Sequence, residues 1–246
     1  MKRSQAPIAA DRLELLRWVV RMGAVTDEAL ALRQQLSLGV ARARLAAARR
    51  AGLLARVRLL AGQPALYVAS GAGLRASGLE GYGAFRVSPS GATHAVACAR
   101  VAAALEHAYP DHRLMGEREL RLAEREAGAA LASAIVGGTG RGALQLHRPD
   151  MVLWPAREPA PAPVAVEVEL TVKAPRRLAQ ICRAWARSRH VAGVVYLAAP
   201  EVMRPLARAI ERAGAGERIA LVAIEALPGG APVAAAPPAS TVPGDA

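Results

Sequence analysis

From Val164 to Lys173 the chain reads VAVEVELTVK: Val164, Val166, Val168, Leu170 and Val172 take every second place, with Glu167, Glu169, Thr171 and Lys173 among the residues between. A period of two fits a β-strand, whose side chains point to alternate faces. One face of this strand is expected in the core and the other, acidic, at the surface. The surroundings extend the pattern. Residues 145–154 (QLHRPDMVLW) read as a strand, 155–163 as a Pro-rich turn, 175–189 as a helix, 191–198 as a buried strand, 200–213 as a helix and 217–226 as a last strand. That alternation is the order of an α/β layout.

The front of the chain follows another rule. Leu13, Leu16 and Val20 fall at helical spacing within 10–23, with Asp11 as the expected N-cap and Gly23 as the stop. Thr26-Asp27-Glu28 places a capping residue and two acids at the start of a second helix, which fades near Leu36. A third helix fits Ser37 to Arg50 and ends at Gly52. Residues 54–60 and 65–68, joined by Ala61-Gly62-Gln63-Pro64, read as a hairpin. Three helices and a hairpin follow the order of a winged helix-turn-helix. A short helix or turn is expected at 70–79 and a long helix from Thr93 to Ala108. The organisation expected is a winged-helix domain over 8–80, a linker over 81–92, an α/β domain over 93–227 and a disordered Pro- and Ala-rich tail over 228–246.

Charge separates the same regions. The formal net charge is +12; residues 1–90 hold 14 Lys/Arg against 5 Asp/Glu, so +9 of it belongs to the front module. A basic module beside a near-neutral one suggests a polyanion partner. An arginine-favouring codon bias would give the same excess. On the third helix Arg42, Arg49 and Arg50 share a basic face, Arg44 lies on the same helix, and Ala41, Leu45 and Ala48 lie on another face. Arg56 and Arg58 on the hairpin are placed to meet phosphates. The two cysteines, Cys98 and Cys182, make no metal-type spacing, so a reducing cytoplasm is the expected setting. No apolar run approaches the ~18–20 residues of a membrane span, and no signal peptide is read.

Glu167 and Glu169 would stand about 6.5–7 Å apart along one strand face. A hairpin brings Asp150 beside them. Carboxylates converging at a sheet end repel unless a cation neutralises them, and Mg²⁺ (or Mn²⁺ as a substitute) prefers such oxygen ligands. It would polarise a phosphodiester and activate a bound water, with Lys173, or Glu169 as general base, orienting or deprotonating that water. Glu119, within GERELR, is a candidate fourth carboxylate. Arg176, Gln180, Arg183 and Arg187, at helical spacings after the strand, are candidate phosphate clamps. His147 is expected to face away from Asp150. A half-exposed strand with Glu, Thr and Lys on its wet face is the plain alternative.

The order Glu119, Pro149-Asp150, Glu167-x-Glu169 and then a helix resembles the PD-(D/E)XK nuclease core. With the front module and the stretches His147-Arg148-Pro149-Asp150 and Glu167 to Lys173, residues 10–226 also resemble the replication-relaxation family of plasmid and mobile-element proteins. The resemblance implies an α/β fold with a mixed central sheet behind a winged helix. It implies Asp150 as central metal ligand, Glu167 as the acid of the second motif, and Glu119 as a helix-borne acid. The lysine usual two places after the acid is Glu169 here; some restriction enzymes of this fold carry Glu-x-Glu and remain active. In another register Glu169 is the acid, Thr171 holds the lysine place and Lys173 substitutes. Both registers stay open.

Three functions are compatible with these residues: a non-catalytic DNA-binding protein of replication, mobilisation or transcription control; an endonuclease targeted by its winged helix; and a protein-interaction module whose charge is compositional. DNA is the expected partner and a membrane is not. A homodimer and other replication or mobilisation proteins are candidate further partners.

Overall fold

Thr26 Oγ1 accepts from Ala29 N at 3.0 Å and Ser37 Oγ from Val40 N at 3.3 Å, and so each hydroxyl opens a helix. In the structure, a computed structural model describing residues 8–138, 144–156 and 161–227, these helices are α2 (Asp27–Gln34) and α3 (Leu38–Arg50). They follow α1 (Ala10–Met22), whose N-cap is Ala9 rather than the expected Asp11. Asp11 sits in the first turn, where a negative charge favours the helix dipole. At Gly23 φ is +88°, and a Cβ would come within 2.9 Å of the Phe85 ring, so only glycine fits this turn.

Three short strands, β1 (Ala24–Val25), β2 (Leu54–Val57) and β3 (Leu66–Ala69), form an antiparallel sheet in the order β1-β3-β2. α4 (Gly71–Ser77) follows. The core beneath joins Leu15, Leu16, Val19, Leu30, Leu45 and Leu54. It also takes Ala99 and Ala103 of α5 (Pro89–Ala108), whose small side chains let that helix sit close. Arg33 binds Glu106 on α5 and Glu14 on α1, and its guanidinium lies 5.1 Å from the Trp18 ring centre. The chain accordingly divides into two units after His107, and the expected linker 81–92 lies inside the first unit.

The second unit is built on a five-stranded mixed sheet, so its α/β class is as read from sequence. Its elements are β4 (His112–Gly116), α6 (Glu117–Ala127), β5 (Ala134–Gly138), β6 (Leu144–His147), β7 (Met151–Pro155), β8 (Val164–Glu169), α7 (Pro175–Arg187), β9 (Gly193–Ala198), α8 (Pro200–Arg212) and β10 (Ile219–Ala223). The order is β10-β9-β8-β7-β4; β8, β9 and β10 run parallel, while β7 is antiparallel to β8 and β4. β5 and β6 form a separate antiparallel pair, bulged between Ile135 and Gly137.

Three expectations change. The strand read over 145–154 is two strands in different sheets, broken at Arg148–Asp150 around Pro149, which lacks an amide hydrogen for the ladder. The strand read over 164–173 stops at Glu169, because the chain turns there to enter α7 with Pro175 in its first turn. The acidic face is not wet: Glu167 is 5% exposed and Glu169 4%. β8 is the central strand, and Leu178, Ile181, Cys182 and Trp185 of α7 pack in one core with Ala165 and Tyr196. The tail 228–246 lies outside the described residues.

Candidate functional site

The β7–β8 register builds the site. Met151 pairs with Val166, so Asp150, one residue earlier, falls opposite Glu167, and residues opposite one another share a face. The Asp150 carboxylate reaches across: its Oδ2 accepts from Val168 N at 2.8 Å, between the two glutamates. Two anchors fix this bend. Glu117 N, at the start of α6, donates to the Asp150 carbonyl at 2.9 Å. Arg148 Nε donates at 2.9 Å to Glu124, a carboxylate 3% exposed that also accepts from Leu131 N at 3.1 Å.

Glu167 Oε1 accepts from His147 Nε2 at 2.7 Å and from Trp185 Nε1 at 3.2 Å. The two rings meet edge to face with centroids 5.9 Å apart. Burial pushes the Glu167 carboxyl above its ordinary range; the charge of Asp150 adds to this, while His147 and Lys173 oppose it. Lys173, beyond the strand end, turns back to ion-pair with Glu169, four residues before it. Burial pushes its ammonium below the usual value, against the pull of Glu167 and Asp150, and nearby Arg177 adds to the depression.

Of the residues singled out from sequence, Asp150 thus lies opposite Glu167 with its carboxylate on the Val168 amide, and Lys173 pairs with Glu169. Glu119 is instead engaged by Arg113 of β4. Three participants were missed or misread. His147, expected only to face away from Asp150, bonds Glu167 from the end of β6, just before the chain bends into β7. Trp185 gives the cluster a donor as well as core volume. Glu124 had no pattern to announce it beyond its position on an amphipathic helix.

On α7, Arg176 and Arg183 are exposed, as a phosphate clamp requires. Gln180, grouped with them from sequence, turns inward to donate to the Val136 carbonyl at 3.0 Å and accepts from Arg177. Arg177, not chosen from sequence, is the arginine of α7 whose charge Lys173 feels.

In the first unit Arg42, Arg56 and Arg58 line one cavity of about 420 Å³ with Asp27, Glu28 and Tyr67. Arg42 is not a free cation: its Nε donates to Asp27 Oδ2 at 2.6 Å. Burial and the neighbouring Asp27 hold the Glu28 carboxyl above its usual range. Arg44 donates to Gln34 Oε1 at 2.9 Å, while Arg49 and Arg50 are exposed in the last turn of α3. Among the described residues no helix is long and apolar enough to cross a membrane. Comparisons with known protein families, curated proteins and solved structures found no significant match.

Proposed function

We propose that this chain is a DNA-binding protein whose first unit grips DNA as a winged helix and whose second unit, resembling PD-(D/E)XK and replication-relaxation proteins, hydrolyses phosphodiesters with a divalent cation. One observation carries the reading: Asp150 lies opposite Glu167 with its carboxylate on the Val168 amide, on the strand that also carries Glu169 and its partner Lys173 at its end.

The donor set suits a hard cation. Three carboxylates and one ammonium sum to a formal charge of −2, which one divalent ion would balance. A carboxylate has two oxygens and about four acceptor positions, so the hydrogen bonds described leave it able to bind metal. Asp150 and Glu169 would hold Mg²⁺ or Mn²⁺, with Glu167 completing the set from behind. Bound there, the ion would supply Lewis acidity toward a phosphate oxygen and a more acidic water. Lys173 would hold a phosphate oxygen or the attacking water, and His147 and Trp185 would fix the orientation of Glu167. Exposed Arg176 and Arg183 would take flanking phosphates. In the first unit Arg56 and Arg58, on the hairpin beside α3, support contact with a DNA backbone.

A nicking assay on supercoiled and linear DNA tests this. Wild type should cleave with Mg²⁺ or Mn²⁺, and Asp150→Asn should cleave on the order of 10²-fold more slowly or less, the scale on which an electrostatic catalytic group acts. Equal cleavage by both proteins would refute the site. A second reading, DNA binding without cleavage, is favoured by the Lys173–Glu169 pair, which neutralises part of the cluster from within. It predicts salt-sensitive DNA retention and no cleavage with either metal.

A further inference from the structure

The second unit contains a cavity of about 560 Å³ between β5 and the end of α7. Ile135 and Val136 form one wall, and Ala184 and Arg187 the other, continued by Ser188, Arg189 and His190. The volume lies within the ~300–1,000 Å³ usual for small-ligand pockets. No carboxylate lines it, and Arg187 and Arg189 make no ion pair among the described residues.

Two independent details point to an anion. Ser188 is 8% exposed and its buried Oγ has no hydrogen-bond partner, an arrangement that is costly unless a ligand supplies one. The carbonyls at this end of α7 would ordinarily repel an anion. Here Arg218 takes the carbonyl of the C-cap, Ser188, at 2.7 Å, and those of Val191 and Ala192 in the following loop at 2.7 and 3.1 Å. That adds positive charge behind the cavity. The opposite wall is apolar, and Ile135 is exposed to 40%.

We propose that this cavity takes one nucleotide unit of a nucleic-acid strand, its phosphate toward Arg187, Arg189, His190 and the Ser188 hydroxyl, its sugar and base against Ile135 and Val136. The proposal rests on the nucleic-acid reading but uses none of the acid cluster. α7 joins the two sites: Trp185 binds Glu167, while Ala184 and Arg187 line the cavity.

The test is fluorescence anisotropy of the full chain in EDTA with a labelled single-stranded 12-mer, competed by dTMP and by inorganic phosphate. Arg56→Ala/Arg58→Ala serves as the background, to reduce binding through the first unit. Adding Arg187→Gln and Arg189→Gln should weaken 12-mer binding at least tenfold, and Ser188→Ala should weaken it several-fold. Unchanged affinity in the Arg187/Arg189 variant, with circular dichroism showing it folded, overturns the cavity assignment and leaves the DNA-binding reading standing. Loss of all 12-mer binding by the wild type overturns both. Competition by dTMP at the affinity of the 12-mer itself would mean a free nucleotide is the ligand, and the strand proposal fails.

Discussion

In the first unit Arg42, Arg49, Arg50, Arg56 and Arg58 stand at the surface over a core of leucine, valine and alanine; in the second, Glu124, Glu167 and Glu169 lie beneath it, each 5% exposed or less. Exposed charges cost a fold little and can be exchanged with little effect on stability. Buried ones lose several kcal/mol of hydration and are tolerated only with partners. Every one of these three carboxylates has one: Arg148 for Glu124, His147 and Trp185 for Glu167, Lys173 for Glu169. The contrast separates two kinds of evidence for function. Surface arginines report only that a polyanion would be attracted, whereas a buried, register-defined acid cluster is costly enough to demand a chemical reason.

Five experiments sharpen or break that contrast. The largest effect is expected from Trp185→Ala, which empties the centre of the second core and strips a donor from Glu167; urea denaturation should show a loss of about 3–5 kcal/mol. Lys173→Met leaves Glu169 buried without its cation. Because Lys173 is 38% exposed, the metal-free protein should lose less than a fully buried pair would, roughly 1–3 kcal/mol, and added Mg²⁺ should restore part of it. An unchanged melt would place Glu169 in better solvent than described.

In the first unit the effects should fall on binding and spare stability. Arg56→Ala and Arg58→Ala should each lower the salt slope of DNA affinity by about one. Asp27→Asn should release Arg42 and strengthen DNA binding modestly. Weaker binding in that variant would mean the Arg42–Asp27 pair organises the surface and does not mask it. The smallest effect concerns Cys182. It is fully buried and its thiol is pushed up to about 11, chiefly by burial, so the folded protein should leave it unlabelled by iodoacetamide at pH 8. Labelling at the rate of a free thiol would show that α7 opens.

Local patterns in the sequence were enough for most elements. Thr26 and Ser37 announced α2 and α3, and the valine alternation announced β8. What escaped was decided by tertiary packing. The alternation of 164–173 cannot tell a half-wet strand from a central one, because the cover over Glu167 comes from α7. Residues 145–154 read as one strand because the break at Pro149 is a change of sheet, which periodicity does not register. α5 was given to the wrong side of the expected linker because Ala99 and Ala103 carry no signal of what they pack on. The partner of His147 was not legible because it lies twenty residues away along the chain.

Manganese titration followed by electron paramagnetic resonance reads the acid cluster without relying on turnover. The account predicts one Mn²⁺ bound per chain by the wild type, competed by Mg²⁺, and lost in Asp150→Asn while circular dichroism stays unchanged. Binding that survives Asp150→Asn, or no binding by the wild type at millimolar metal, would contradict it.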